Sequence, residues 1–199
     1  MNRPPNDAGF DPKPRDESVA SRPSVSGLSL VLYPDQALRT VCQPVETFDS
    51  ALRDLADKMI SLMHCHSGIG LAAPQIGLRQ RLIVSRIEVH PLVLANLEVK
   101  DCTEPQNSIE GCLSLLGIMV KVRRPERIRV SGYDVHGHRK SFAATGLWAR
   151  VIQHELDHLN GVLICDYGPP SESGEECPLA LPAALVEEHH HESHPFRPH

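Results

Sequence analysis

The stretch VIQHELDHLNG, residues 151–161, places two histidines four positions apart and a glutamate directly after the first of them. Its flanks continue the pattern of an amphipathic helix that Thr145 caps and that the Asn-Gly pair at the end stops. Positions i and i+4 of a helix lie on the same face, so His154 and His158 can direct two imidazoles at one ion. The stretch therefore predicts a helix with a metal-binding face.

The same helical face continues towards the N-terminus through Val151 and Leu147, which predicts that it points into the protein. Burying imidazoles without partners is costly, so a metal site explains this pair better than two satisfied core histidines. Glu155 is placed to act as a general base on a water molecule rather than as a ligand.

A catalytic site with two histidines needs a third protein ligand and one open position. In one class of proteases the third histidine would fall at position 164, and Ile164 excludes that class. The glutamates downstream lie in a stretch that Pro169, Pro170 and Gly174 interrupt, which makes it a poor platform for a ligand. The best candidate is upstream: Cys112 in IEGCLSL, because a thiolate suits a soft divalent ion.

The segments between the two predicted helices favour antiparallel sheets. The earlier helix begins at Asp49 or Ser50, either of which can cap it, and ends near Gly68. The glycine-spaced GIGLAAPQIG, residues 68–77, is typical of a loop, and later short segments alternate around a hairpin turn at residues 132–140. This order predicts an α+β fold, with antiparallel sheets packed around a central helix that carries His-Glu-x-x-His.

Composition divides the 199-residue chain into three parts. Residues 1–26 are rich in Pro, Ser, Asp and Arg and are predicted to be a disordered N-terminal extension. Residues 27–167 are predicted to form one catalytic domain. Residues 168–199 form an acidic, histidine-rich tail that is predicted to be mostly disordered.

The charge pattern excludes several kinds of partner. The formal net charge is −5, and the six acidic side chains and one arginine of residues 171–199 account for all of it. The rest of the chain is neutral, so we expect no direct nucleic-acid binding. No apolar run of roughly 18 residues indicates a membrane span, and the N-terminus lacks an export signal. We therefore expect a cytoplasmic protein whose six cysteines are free thiols.

Three motifs occur along the chain: GIGLAAPQIG (68–77), EGCLS (110–114) and QHELDH (153–158). In this order and at these separations they resemble the three motifs of the peptide deformylases, and the resemblance runs through nearly all of residues 27–167. It implies a metal-dependent hydrolase that removes the formyl group from the N-terminal formyl-methionine of nascent polypeptides and releases formate. The implied partners are N-formyl-methionyl peptides that emerge from the ribosome.

The resemblance also assigns roles to single residues. It implies three metal ligands: Cys112, His154 and His158. Glu155 is implied as the acid/base, and the implied oxyanion donors are the Gln75 side chain and the backbone N–H of Leu113. The family uses one divalent ion, principally Fe²⁺, and accepts Ni²⁺, Co²⁺ or Zn²⁺.

Other positions bear on the substrate. Gly68, Ile69 and Gly70 have the character of a backbone edge, because glycine lets a peptide approach closely and pair strand to strand. The same glycines can also simply end the preceding helix. Three residues depart from patterns that are common among relatives, which often have Pro, Pro and Arg there: Leu97, Leu116 and Met119. These departures concern peptide contacts and substrate preference rather than the reaction class.

Two other functions stay open at the level of the sequence. One is a zinc-type metallopeptidase, which Ile164 disfavours, and the other is a non-catalytic relative that binds metal or peptide. A second metal site could involve His64, Cys65 and His66, although histidines near the end of a helix are typical of favourable dipole contacts. By the same resemblance, Asp157 and Arg124 are predicted to form a structural ion pair.

Overall fold

The computed structural model describes residues 25, 27–86, 91–100, 103 and 105–170. Along the chain the helices and strands are α1 (Ser50–Cys65), β1 (Gly70–Ala72), β2 (Leu82–Ser85), β3 (Leu92–Lys100), β4 (Pro105–Cys112), β5 (Leu115–Pro125), β6 (Arg127–Tyr133), β7 (Arg139–Thr145) and α2 (Gly146–Leu159). All pairings between these strands are antiparallel, which confirms the predicted α+β class with antiparallel sheets. None of the described helices is long and apolar enough to cross a membrane.

The predicted extension and the predicted tail fall almost entirely outside the described part of the chain. Only Val25 of the extension and residues 168–170 of the tail are described. The four cysteines within the described residues are free thiols, as predicted: Cys42, Cys65, Cys112 and Cys165.

The strands form two sheets. A five-stranded sheet has the order β1-β2-β3-β6-β7, and β4 and β5 form a separate two-stranded sheet. The prediction of a loop at residues 68–77 is wrong in part, because this stretch contains β1 and a 3₁₀ helix, Ala73–Ile76. Leu71 of β1 pairs with Val84 and is fully buried, so tertiary pairing overrides the low strand propensity of the flanking glycines.

The five-stranded sheet separates the two helices. β2 is buried along its whole length, and its side chains alternate between the two faces of the sheet. Leu82 and Val84 belong to the apolar cluster that includes Met59 of α1, whereas Ile83 belongs to the cluster that includes Ile152 of α2. α2 also contacts β5 of the smaller sheet, so this helix lies next to both sheets.

Helix α1 begins and ends where the sequence indicates. Asp49 is its N-cap, and Asp49 Oδ1 accepts a hydrogen bond from the Leu52 N–H at 3.0 Å. Its C-terminus is a Schellman motif, in which the Gly68 N–H donates to the Met63 carbonyl and Ser67 takes a left-handed conformation. Gly68 therefore does help to end the helix.

Helix α2 follows Thr145, although the hydroxyl of this residue makes no capping hydrogen bond within the described residues. At the other end Gly161 has a φ of 73°, and a Cβ on this glycine would lie 2.6 Å from the Arg39 carbonyl oxygen. Only glycine is compatible with this backbone conformation and this close contact, so the helix ends here, as predicted.

One of the departures from the relatives lies at a bulge in β3. Asn96 has a φ of 52°, and its side chain accepts from the Val45 N–H at 2.7 Å and donates to the Val45 carbonyl at 2.9 Å. The next residue, Leu97, is fully buried in the core. This departure therefore affects packing of the core rather than contacts with a peptide.

Candidate active site

Three side chains that could hold a metal ion converge between β4 and α2. Cys112 is the last residue of β4, and His154 and His158 lie one turn apart on the buried face of α2. The Cys112 sulfur and one ring nitrogen of each histidine all lie within 4.8 Å of one another. The sulfur is 3.2 Å from His158 Nε2. The structure thus brings together the three residues that the sequence predicts as ligands.

Glu110 orients the first of these histidines. It is fully buried on β4, two residues before Cys112, and its Oε2 lies 3.1 Å from His154 Nδ1. A proton on Nδ1 that is donated to this carboxylate leaves Nε2 free to bind an ion. Glu110 has no predicted role, although it lies inside EGCLS. An acidic residue that faces inward on a strand ending at a ligand is the signal that could have found it.

A buried ion-pair network holds Glu110 in place. Arg124 on β5 donates to both of its carboxylate oxygens, at 2.6 Å from Nε and 2.9 Å from Nη2. Arg124 Nη1 donates to Asp157 at 2.8 Å, which confirms the predicted ion pair. Asp157 also accepts from the Tyr167 hydroxyl at 2.8 Å, and the Tyr167 ring lies under the guanidinium. The network joins β4, β5 and α2 beside the metal-binding residues.

The protonation of these groups follows from their surroundings. Burial raises the pKa of Glu110, but hydrogen bonds from His154 and Arg124 outweigh it and lower this pKa to about 2. Burial disfavours the charged form of His154 and so lowers its pKa, but hydrogen bonds to Cys112 and Glu110 outweigh burial and raise this pKa well above the ordinary value. Burial and the charge on His154 hold the pKa of His158 well below its ordinary value. Ligands must be deprotonated, so an ion that binds here displaces the proton from His154 Nε2.

Glu155 is buried directly after His154 on α2 and lines the same cavity as Cys112 and His154. Its Oε2 has no hydrogen-bond partner among the described residues. Burial raises the pKa of Glu155 to about 7, a value that suits a group that must accept and return a proton near neutral pH. Gly70 leaves room for it, because a Cβ at this position would overlap Glu155 Oε1 and lie 2.9 Å from Val151 Cγ1. Gly70 therefore has a structural role that its sequence does not predict.

Hydrogen bonds fix the amide of Gln75 in one orientation. Its Oε1 accepts from the Ala72 N–H at 2.8 Å, so its NH₂ group points the other way. The Nε2 atom lies 3.3 Å from Ser114 Oγ and 3.6 Å from Cys112 Sγ. Leu113 directly follows Cys112 in the turn between β4 and β5. Both predicted oxyanion donors therefore lie beside the predicted ligands.

A cavity of about 260 Å³ opens onto these groups. Its lining includes all three residues of the predicted peptide edge: Gly68, Ile69 and Gly70. Two of the departures from relatives, Leu116 and Met119, also line it. These two residues are therefore placed where they can affect peptide contacts. Leu97 is not, because it is buried in the core and does not line the cavity.

The residues present fit a divalent ion. One thiolate and two imidazoles are a donor set that suits borderline-soft divalent metals. Glu155 Oε2 is a buried polar atom that lacks a partner within the described chain, as expected at a polar site that takes a further group. In that same part of the chain, Cys112, His154 and His158 are the only group of three that could hold a metal ion. The possible second site at residues 64–66 is therefore not found.

Fold and site together define an α+β protein with a Cys-His-His group that could hold a metal ion beside a buried carboxylate. Residues 28–173 match the polypeptide deformylase family. The peptide deformylase of Dictyoglomus thermophilum is 45% identical over 132 residues, which covers 66% of this chain and 86% of that protein. The peptide deformylase of Hydrogenovibrio crunogenus is 46% identical over 143 residues, which covers 70% of this chain and 85% of that protein. The crystal structure of the Thermotoga maritima peptide deformylase has a TM-score of 0.70 at 38% identity, covering 72% of this chain and 98% of that one.

The chain belongs to the polypeptide deformylase family. Metal-dependent removal of the N-terminal formyl group is the function of this family. The chain is accordingly a hydrolase of protein biosynthesis that processes the N-termini of nascent formylated peptides. The predicted family, enzyme class and reaction are confirmed.

Proposed function

We propose that this deformylase holds one divalent ion through Cys112, His154 and His158 and uses Glu155 as its acid/base. The observation that carries the proposal is the convergence of a cysteine sulfur and two imidazole nitrogens within 4.8 Å. The buried, unpartnered oxygen of Glu155 beside them supports it. We propose Fe²⁺ as the native ion, as in the family that the chain resembles, with Ni²⁺, Co²⁺ and Zn²⁺ as substitutes.

The proton is handled by Glu155. When bound, the divalent ion supplies Lewis acidity, which polarises the formyl carbonyl and acidifies the attacking water. Glu155 accepts the proton of that water, and its pKa of about 7 allows it to hold the proton through the addition step. It then donates the proton to the leaving amine, so the C–N bond breaks to give formate and a free N-terminus.

Two hydrogen-bond donors stabilise the oxyanion that develops on the formyl oxygen. The first is the NH₂ group of Gln75, whose direction the Ala72 N–H fixes through Oε1. The second is the backbone N–H of Leu113. Donors that are oriented before the reaction cost no reorganisation when the charge develops, so they favour the transition state. A neutral amide such as Gln75 also adds no charge that would compete for the ion.

The substrate backbone is proposed to pair with the chain at Gly68, Ile69 and Gly70. β1 is an edge strand of the five-stranded sheet, and these residues line the cavity. An extended peptide can add a strand to such an edge through main-chain hydrogen bonds. The methionine side chain then enters the cavity, where Val151 and Leu115 provide apolar walls.

We also propose three wider features of the protein. α2 is the central helix of the domain, which its packing against both sheets supports. Residues 27–167 carry the whole catalytic apparatus. The protein meets formylated chains in the cytoplasm as they leave the ribosome, because that is where its substrate is made.

The proposed function is tested by formate release. Protein purified without oxygen and loaded with Fe²⁺ or Ni²⁺ is given a formyl-Met-Ala-Ser peptide and, separately, the unformylated peptide. We expect formate from the first peptide, no internal cleavage of either, and loss of activity after a chelator with recovery on metal addition. Absence of formate above a Glu155→Ala control would contradict the proposal, and cleavage of the unformylated peptide would indicate a metallopeptidase.

A further inference from the structure

We propose that a three-residue bulge of β5, Leu116-Gly117-Ile118, makes this enzyme select substrates with an uncharged apolar side chain at the third residue. We call these three residues the rim segment. The proposal rests on the proposed function, because it concerns which formylated peptides the same site accepts.

The rim segment is an interruption of the β4–β5 pairing. Gly111 pairs with Met119, but the next residue, Cys112, pairs with Leu115, so three residues of β5 have no partner on β4. Gly117 has a φ of 67°, which lets the chain turn outward at the middle of the bulge. Bulges beside a site redirect side chains. This one directs them to the cavity from a position next to Cys112.

The surface that results is apolar and open. Leu116 is 46% exposed, although it is a large hydrophobic residue on a cavity wall. All three residues of the rim segment, together with Met119, line the cavity that also contains Cys112 and Glu155. An exposed leucine inside a substrate cavity is stabilised by a ligand that covers it.

The rim segment carries no charge. Among the described residues that line the cavity, the ionisable side chains are Cys112, His154 and Glu155, and all three belong to the proposed catalytic centre. Lys121, the first cation beyond the rim on β5, is exposed and does not line the cavity. A substrate carboxylate that lies against the rim segment would therefore lose bound water without gaining a cationic partner.

The alternation of an extended peptide assigns the position. Successive side chains of a strand point to opposite sides, so the third residue faces the same side as methionine and the second faces away. If methionine enters the cavity, the third side chain lies towards the wall of the cavity and the second lies towards solvent. The rim segment therefore acts on the third residue.

The test uses the metal-loaded enzyme and four amidated peptides. Two carry Leu or Glu at the third position (formyl-Met-Ala-Leu-Ser and formyl-Met-Ala-Glu-Ser), and two carry them at the second (formyl-Met-Leu-Ala-Ser and formyl-Met-Glu-Ala-Ser). We expect kcat/KM to favour Leu over Glu by ~10-fold or more at the third position and by less than about threefold at the second. Equal values for the two third-position peptides would overturn the inference while leaving the proposed function intact.

A charge-reversal variant supplies the second arm. Leu116→Lys should reverse the third-position preference towards Glu. The matched control is Leu78→Lys, because Leu78 is 37% exposed and does not line the cavity. A Leu-to-Glu ratio that is the same in Leu116→Lys and Leu78→Lys would contradict the inference. No formate from any peptide would instead overturn the proposed function, and this inference with it.

Discussion

Glu110 Oε2 lies 3.1 Å from His154 Nδ1, and the two side chains come from different elements, β4 and α2. The carboxylate is fully buried. Both of its oxygens accept hydrogen bonds from Arg124, and Oε2 also accepts one from His154. A histidine whose second nitrogen is held in this way keeps its ring orientation and binds a metal more strongly. Glu110 is therefore a positioning residue, which acts through His154.

Replacing Glu110 by Gln should weaken metal binding. Glutamine is neutral and carries an NH₂ group in place of one carboxylate oxygen, so it loses an acceptor for either Arg124 Nε or His154 Nδ1, and the affinity for Ni²⁺ should fall by ~10- to 100-fold. Competition with a metal-chelating dye measures this affinity. The matched control is Asp157→Asn, which removes the other carboxylate from Arg124 without touching His154. Equal loss of affinity in both variants would mean that the ion-pair network, and not the orientation of His154, is responsible.

The Gly70→Ala substitution should lower kcat while leaving the metal content unchanged. The added Cβ would overlap Glu155 Oε1, so the carboxylate must move away from its place beside the ligands. We expect a loss of ~10²-fold, the lower end for loss of acid/base catalysis. In Gly68→Ala the nearest atom is the end of the flexible Leu113 side chain, so kcat should fall less. A raised KM with normal kcat in Gly70→Ala would show that this glycine serves only peptide approach.

The turn between β6 and β7 should contribute stability that depends on pH. Burial slightly opposes the charge on Asp134, but hydrogen bonds from the backbone of His138 and His136 and from Lys140 lower its pKa from 3.8 to about 2. Because the folded-state pKa is the lower one, this contribution is present above pH 4 or so and is lost as the pH falls through about 2. Asp134→Asn keeps the acceptor oxygen and removes only the charge.

Urea unfolding checks this expectation. At pH 6 the free energy of unfolding of Asp134→Asn should be lower than that of the wild-type protein by about 1 kcal/mol or less, because the group is near the surface. The difference should shrink as the pH approaches 2. A difference that stays constant from pH 6 to pH 2 would assign the effect to geometry and not to charge.

The parts of the protein that follow local patterns could be predicted from the sequence. The period of α2, the stop at Gly161 and the hairpin around Asp134 each depend on residues a few positions apart. The ion pair of Arg124 with Asp157, by contrast, follows only from the resemblance to relatives. The pairing of His154 with His158 also follows a local pattern, because positions i and i+4 of a helix lie on the same face independently of the rest of the fold.

Other features depend on contacts between distant segments and carry little local signal. Glu110 meets His154 only because β4 lies beside α2, and Arg124 reaches Glu110 through the β4–β5 pairing. The need for glycine at position 70 arises from Glu155, 85 positions along the chain. The sequence predicts a loop at β1, because the three residues of this strand gain their stability from pairing with β2 and not from local propensity.

The most direct test of the account compares formate release by Glu155→Gln and wild-type enzyme at equal metal content. Glutamine is nearly the same size but cannot accept and return the proton, and Glu155 is not a proposed ligand. We therefore expect full metal occupancy and a kcat that is lower by ~10²- to 10⁴-fold. Activity close to that of the wild-type enzyme with the metal retained would contradict the proposed role of Glu155, and loss of the metal would show that the ligand set is wrong.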